Sequence, residues 1–189
     1  ILMPLLSMRF LGGFAVQLDG ELVTGLEYDK ARALLAYLVV ETDRPHRREA
    51  LAGLLWPDLP ERRARHNLSQ ALYVFRTAFK GTGSSFLRAT PHTIQFNANA
   101  DHWIDVTVFT SLLADCAAHP HWRLETCPAC RDPLARAAEL YSGAFMEGLS
   151  VPDAPTFEEW QLMWRERLHH QATDALRALA YSCDHDGDR

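Results

Sequence analysis

The stretch ERRARHNLSQALYVFRTAFK, Glu61–Lys80, combines a helical pattern of apolar residues with a concentration of basic side chains. The apolar positions recur with a period of about 3.6 residues, as in an α-helix. They are Ala64, Leu68, Ala71, Leu72, Phe75 and Phe79. Pro60 suits the first helical turn, and Gly81 follows Lys80 as helix C-termini prefer. We therefore predict an amphipathic helix over residues 61–80, with one face buried and the other exposed.

The exposed face of this predicted helix is basic, although the 189-residue chain has a net charge of −5. Opposite the apolar stripe lie Arg62, His66, Ser69, Gln70, Tyr73, Thr77 and Lys80, flanked by Arg63, Arg65 and Arg76. Residues 44–88 hold nine Lys/Arg against three Asp/Glu, whereas residues 101–189 hold seven against fifteen. One explanation of the basic face is an ordinary solvated helix surface. The charge asymmetry instead favours two units with different partners.

Short elements surround this helix on both sides. Residues 8–26 alternate like strands, with Asp19–Gly20 as a hairpin turn. Two helices are predicted over residues 30–41 and 48–56. After the basic helix, residues 86–97 alternate on both sides of a turn and predict a second hairpin. The order of helix, helix, exposed basic helix and hairpin predicts a winged helix-turn-helix.

A winged helix with an exposed basic helix is typical of binding to double-stranded DNA. The major groove admits one α-helix, and Arg, Asn, Gln and Ser side chains contact base edges or phosphates. The local excess of positive charge would attract the phosphate backbone. The candidate DNA-binding residues are Arg47, Arg48, Arg62, Arg65, His66, Ser69, Gln70, Tyr73, Arg76, Lys80, Arg88 and His92.

Seven stretches of the sequence resemble, in the same order, those of the SARP-type bacterial transcriptional activators. They are RFLGGFAVQLDG (9–20), KARALLAYLVV (30–40), RPHRREALAGLLWPD (44–58), RARHNLSQALYVFRTAF (63–79), DVTVF (105–109), LYSGAFMEGL (140–149) and PDAPTFEEWQLMWRERL (152–168). Members of that family join an OmpR/PhoB-type winged-helix domain to a helical bacterial transcriptional activator domain. The resemblance implies a recognition helix at about 60–80, a wing at about 86–97, and transcriptional activation. The family often has a basic residue where Val74 stands, so individual base contacts are not carried over.

We place a domain boundary near Asp101, where strand-like patterns give way to helical ones. Residues 8–100 then form the winged-helix DNA-binding domain. Residues 101–189 form the helical bacterial transcriptional activator domain, which we expect to continue beyond Arg189 in a longer protein. Helices are predicted near 105–117, 132–143, 156–169 and 171–182, and such helix pairs resemble tetratricopeptide repeats. The expected fold class is mainly α with small β-sheets.

The acidic charge of the second half favours protein partners over DNA. We expect these partners to be RNA polymerase, a second copy of the chain in a homodimer, or a downstream sensor region. The rival hypothesis is a tetratricopeptide-like scaffold without DNA binding, which would not need a basic helix beside a wing. No run approaches the roughly 18 to 20 apolar residues of a membrane span, so no membrane partner is expected.

The stretch CAAHPHWRLETCPAC, Cys116–Cys130, contains five residues of the types that bind zinc. They are Cys116, His119, His121, Cys127 and Cys130. Tetrahedral zinc takes four nitrogen or sulfur ligands, and a C-x2-H pair followed by a C-x2-C pair supplies them. We expect a structural zinc site built from four of these five residues. The alternative is a histidine-rich loop with unligated thiols.

We expect no enzymatic activity. The C-x2-C pair does not follow a strand that opens a βαβ unit, which argues against a redox dithiol. A zinc deaminase would need an H-x-E motif, whereas Arg123 stands two residues after His121. The sequence contains no Walker A motif and no Gly-rich dinucleotide loop. Four cysteines without a secretion signal favour reduced thiols and a cytoplasmic location.

Overall fold

The computed structural model of the chain describes residues 5–79 and 86–187. A four-stranded sheet begins the fold, with its strands in the order β3-β2-β1-β7. These strands are β1 (Leu6–Arg9), β2 (Ala15–Leu18), β3 (Glu21–Leu22) and β7 (His102–Ile104). β1 pairs antiparallel with β2 and parallel with β7. The predicted hairpin turn is confirmed, because Asp19 and Gly20 have φ of 53° and 83°, as a tight hairpin loop requires.

Three helices and a second sheet complete the winged helix that the sequence predicts. The helices are α1 (Asp29–Val40), α2 (Arg48–Leu55) and α3 (Glu61–Ala78), and the strands are β4 (His46–Arg47), β5 (Leu87–Ala89) and β6 (Thr93–Phe96). β6 pairs antiparallel with both β4 and β5. The sequence pattern does not predict β4, because two residues show no alternation. Its pairing with Thr93 and Ile94 is what defines it.

The apolar stripe predicted for α3 is confirmed. Its residues are buried against α1 and α2: Ala64, Leu68, Ala71, Leu72 and Phe75. Phe79 follows the helix, and its ring centroid lies 6.4 Å from that of Phe75 and 6.0 Å from that of Phe86. Burying one large apolar side chain contributes about 1.5 to 3 kcal/mol, so this stripe fixes α3 in the domain. The predicted helix end at Lys80 and Gly81 lies outside the described residues.

The second half contains α4 (Asp105–Ala118), a 3₁₀ turn (Leu124–Thr126), α5 (Pro128–Leu140) and α6 (Pro155–Gly187). The prediction of two helices near 156–169 and 171–182 is wrong, because α6 is continuous across both. Its buried residues Leu168, Ala172 and Ala175 keep helical spacing, and no Gly or Pro interrupts them. The helix predicted near 132–143 begins earlier, since Pro128 is favourable in a first helical turn. Within the described part of the chain, no helix combines the length and the hydropathy that a membrane span needs.

Asp105, at the start of α4, ties the second half to the first sheet. Its side chain is 2% exposed, and its Oδ2 accepts hydrogen bonds from the backbone N–H groups of Phe10 at 2.8 Å and Leu11 at 2.9 Å. Its Oδ1 accepts a third from the N–H of Val106 at 2.7 Å. Burial raises the pKa of the Asp105 carboxyl, against the lowering effect of these hydrogen bonds. The carboxyl therefore satisfies buried backbone donors on both sides of the junction.

Further contacts join the two halves. The backbone N–H of Gly12 donates to the Ala144 carbonyl at 3.0 Å, and Trp160 Nε1 donates to Glu41 Oε1 at 2.9 Å. Buried residues of both halves form one continuous hydrophobic core. The boundary near Asp101 stays a prediction from the sequence pattern, and β7, just beyond it, belongs to the first sheet.

Candidate functional site

The exposed face of α3 carries most of the predicted DNA-binding residues. We call its exposed members the α3 strip: Arg62, Arg65, His66, Ser69, Gln70, Tyr73 and Arg76. Tyr73 is 65% exposed, although its ring is large and apolar. Because side chains three and four residues apart are neighbours on a helix, the strip is a connected surface. Arg63 is exposed at its margin.

Three arginines on this surface carry charge that the fold does not neutralise. Arg62, Arg63 and Arg76 form no ion pair or side-chain hydrogen bond with any residue in 5–79 or 86–187. Arg65 differs, since its Nη1 lies 3.2 Å from Glu49 Oε1 and 3.4 Å from Glu61 Oε1. Exposed pairs of this kind contribute only about 0 to 1 kcal/mol, so they hold Arg65 weakly. The α3 strip thus presents uncompensated positive charge to solvent.

Arg48 connects α3 to the hairpin β5–β6. Its Nη1 donates to the Thr90 carbonyl at 3.2 Å, and its Nη2 donates to Ser69 Oγ at 3.3 Å. Its backbone N–H donates to the His92 carbonyl at 2.9 Å. These bonds fix the hairpin turn beside the middle of α3. Ser69 is therefore engaged within the fold, and its Oγ also donates to the Arg65 carbonyl at 3.0 Å.

The hairpin turn is organised by Thr90, which the sequence analysis did not single out. Thr90 Oγ1 accepts hydrogen bonds from the backbone N–H groups of His92 at 3.2 Å and Thr93 at 2.9 Å. The Thr-Pro pair in this short hairpin could have indicated the role of Thr90, because threonine hydroxyls in turns hydrogen-bond to the backbone a few residues further along the chain. Arg88 and His92 are exposed on this hairpin, as is Arg47 on β4. Lys80 lies outside the described residues.

A groove of about 630 Å³ lies between α3 and the hairpin. Its walls include Arg48, Arg65, Tyr73, Arg76 and Pro91. The guanidinium groups come from two helices, and the opposite wall is the hairpin turn. This combination of a concave surface with several cations suits an extended polyanion better than a small apolar ligand.

The predicted zinc ligands form a second cluster, in the loop between α4 and α5. The ligand atoms of His119, Cys127 and Cys130 all lie within 4.8 Å of one another. His121 Nδ1 is 3.9 Å from Cys130 Sγ, and Cys116 Sγ is 3.8 Å from the Cys130 carbonyl oxygen. The structure therefore brings all five residues around Cys130. Cys116, Cys127 and Cys130 are free thiols.

The two thiols of the C-x2-C pair differ in their surroundings. Burial, followed by the hydrogen bond to the Cys127 thiol, raises the pKa of the Cys130 thiol to about 12. For Cys127, burial opposes ionisation, but hydrogen bonds from the Cys130 side chain and from the backbone N–H groups of Cys130 and Ala129 lower its pKa overall. Cys127 precedes the first turn of α5, where backbone N–H groups face a thiolate. Without a bound cation, Cys127 is the more readily ionised of the pair.

No model of a protein family and no curated protein matches this chain. Among solved structures, the chain is similar to Mycobacterium tuberculosis EmbR in complex with a low affinity phosphopeptide, with a TM-score of 0.69. The two sequences are 23% identical over 93% of this chain and 45% of the EmbR chain, so the present chain spans less than half of EmbR. The likeness confirms the fold expected from the sequence, a mainly α protein in which a winged helix precedes a helical domain.

Proposed function

We propose that this chain is a sequence-specific regulator of transcription that binds double-stranded DNA through the α3 strip and acts as an activator. The observation that carries the proposal is the unpaired charge of Arg62, Arg63 and Arg76, next to a hairpin that Arg48 holds in place. Neighbouring like charges repel one another, so an anion that binds across this cluster is electrostatically favoured. The SARP-type resemblance of the sequence and the fold shared with EmbR support the same class of function.

In this proposal α3 enters the major groove, which accommodates one α-helix. Gln70 and Tyr73 lie at the middle of the strip, where base edges would be reached. Arg62 and Arg76, nearer its two ends, would contact phosphates on either side. Arg47, Arg88 and His92 would meet the backbone along the hairpin, and Arg48 would set the spacing between helix and hairpin. Phosphate contacts position such a protein, and base contacts give it specificity.

The test is selection of bound sequences from a random duplex pool by the full 189-residue chain. We expect enrichment of a defined motif and binding to it that weakens steeply with salt. A double Arg62→Ala/Arg76→Ala variant should lose most of this affinity. The matched control is Arg136→Ala/Arg177→Ala, which removes the same charge from exposed positions in the second half. Absence of any motif and of duplex binding at low salt would refute the proposal.

The second half would act through protein contacts in this proposal, with RNA polymerase or with a second copy of the chain in a homodimer. The regulator would work in the cytoplasm, where thiols such as those of Cys116, Cys127 and Cys130 stay reduced. The proposal assigns no catalytic role to any residue. The rival hypothesis, a tetratricopeptide-like scaffold, predicts that the double arginine variant and its control behave alike.

A further inference from the structure

We infer that His119, His121, Cys127 and Cys130 bind one zinc ion that joins the end of α4 to the start of α5. This site is separate from the α3 strip, and it does not depend on the proposed DNA-binding function. It would be structural, because four protein ligands leave no open position for a water or a substrate.

The backbone already holds the ligands at the ends of regular elements. His119 directly follows α4, and its N–H donates to the Asp115 carbonyl at 3.0 Å. Cys127 directly precedes α5, and the N–H of Cys130 donates back to the Cys127 carbonyl at 3.2 Å. A turn of this kind points both sulfurs of a C-x2-C pair to one side, as in structural zinc sites.

The distances fit a metal ion after a small adjustment. With Zn–S near 2.3 Å and Zn–N near 2.0 to 2.1 Å, ligand atoms around a tetrahedral zinc lie about 3.3 to 3.8 Å apart. The ligand atoms of His119, Cys127 and Cys130 are within 4.8 Å of one another. Side-chain shifts on the order of 1 Å close the remaining difference.

We propose His121 as the fourth ligand, although it lies outside the group of three whose ligand atoms are within 4.8 Å of one another. Its Nδ1 is 3.9 Å from Cys130 Sγ, close to the separation of two ligands on one ion. Cys116 is the competitor, but it is 3% exposed and packs with Leu134 and Ala175. Its thiol lies 3.8 Å from the Cys130 carbonyl oxygen and also hydrogen-bonds to the Cys130 thiol. Because moving Cys116 onto the ion would open the cluster in which it packs, we assign Cys116 to the apolar cluster and not to the metal.

The loop between α4 and α5 is anchored by Leu124, which packs on the apolar cluster around Cys130, and a zinc ion would add a second anchor. Trp122, its largest side chain, is 95% exposed. On the inner side of the loop, Cys130 belongs to a small apolar cluster that also contains Ala175 and Ala178 of α6. An ion bound to Cys127 and Cys130 would hold this cluster together and so fix the α4–α5 pair against α6. Because no site preforms in the unfolded chain, binding free energy of this kind adds directly to folding free energy.

The experiment is elemental analysis of the full chain purified without added metal, followed by exchange of the ion for Co²⁺. We expect about one zinc per chain. The cobalt form should show a thiolate-to-cobalt charge-transfer band and the visible bands of tetrahedral cobalt. Cys127→Ser should abolish both, whereas the matched variant Cys116→Ser should keep stoichiometric zinc.

Two measurements on the wild-type chain test the zinc site even if a variant fails to fold. Removal of the ion by a chelator should lower the melting temperature of the wild-type chain. Metal-free protein that takes up no Co²⁺ and melts unchanged in chelator would overturn the site. Loss of zinc in Cys116→Ser together with its retention in His121→Ala would overturn the assignment of the fourth ligand.

Discussion

The α3 strip and the segment of residues 145–149 use arginine side chains for opposite purposes. This segment belongs to the second half and contacts residues 10 and 11 of the first half. Within the second half, Arg165 Nε donates to the Phe145 carbonyl at 2.9 Å, and its Nη2 donates to the carbonyls of Met146 at 3.0 Å and Leu149 at 3.2 Å. On the α3 strip, Arg62 and Arg76 have no partner among the described residues. The presence or absence of partners inside the fold, rather than residue type, therefore separates an arginine that stabilises the fold from one that remains available to a ligand.

Substitutions in these two regions are expected to affect different properties of the protein. Residues whose polar groups are satisfied inside the fold should change stability when replaced, and leave the affinity of the folded protein for DNA unchanged. Residues of the α3 strip whose charged or polar groups have no partner inside the fold should change DNA affinity and leave stability unchanged.

The largest expected effect comes from the buried face of α3. Leu68 is 0% exposed, so Leu68→Ala should lower the free energy of unfolding by about 2 to 5 kcal/mol through lost burial and a residual cavity. Chemical denaturation followed by circular dichroism measures this loss. DNA binding should disappear in step with the folded fraction. The control is Leu176→Ala, which removes the same atoms from a side chain 52% exposed and should cost far less. A Leu68→Ala protein with native melting temperature and no DNA binding would contradict this separation of the two faces.

The next effect tests the segment of residues 145–149. Arg165→Met keeps the aliphatic stem but removes the donors to three carbonyls. The Phe145 carbonyl then loses its guanidinium donor, whereas those of Met146 and Leu149 keep the Gln161 Nε2 group at 3.4 and 3.2 Å. We expect a cost of about 1 to 3 kcal/mol in unfolding free energy. Arg177→Met, on an exposed position of the same helix, is the control. Weaker DNA binding by the folded Arg165→Met protein, at unchanged stability, would contradict the claim that internally paired residues affect stability and not DNA affinity.

Local patterns in the sequence predict the winged helix well. The stripe from Ala64 to Phe75 repeats with the helical period, and the Asp19–Gly20 pair specifies its own turn, so both follow from neighbouring residues. The exposed face of α3 can be predicted for the same reason, because it is the side of the helix opposite the apolar stripe. The Cys–His cluster was also accessible from spacing, because its five residues lie within the single stretch Cys116–Cys130.

The junction could not be predicted in the same way, because its contacts join residues far apart in the chain. Asp105 appears in the sequence as an ordinary acid at a helix start, and only the fold shows that it bonds to Phe10 and Leu11. The short strand β7 depends on its parallel pairing with β1 and has no pattern of its own. The same limit hid the structural role of Arg48, which the sequence predicts only as a DNA-binding residue, because its bonds to Ser69 and Thr90 require the hairpin to return beside α3.

A more selective effect is expected at Gln70, on the middle of the α3 strip. Gln70 is exposed and has no hydrogen-bond partner among the described residues, so its amide is available to a base edge. Gln70→Ala should change the selected motif at one position and remove about 1 to 3 kcal/mol of discrimination there if the contact is bidentate. Thr77→Ala is the control, because the Thr77 hydroxyl already donates to the Tyr73 carbonyl at 3.1 Å. The same motif recovered with equal enrichment from wild type and Gln70→Ala would exclude Gln70 from base recognition.

The smallest effect is expected for Arg62→Ala, which removes a single phosphate contact. This variant separates DNA affinity from stability most clearly. Arg62 has no internal partner to lose, so Arg62→Ala should leave the unfolding free energy within about 0.5 kcal/mol of wild type. It should weaken binding to all duplexes by a similar factor, because a phosphate contact carries no sequence information. It should also reduce the steepness of the slope of log affinity against log salt concentration by about 0.9. This is the contribution of the counterions released when one phosphate of B-form DNA is neutralised. Fluorescence anisotropy titrations over a series of salt concentrations measure both quantities, with Arg177→Ala as the charge-matched control. If Arg62→Ala and wild type have the same slope of log affinity against log salt concentration, this arginine lies outside the DNA contact.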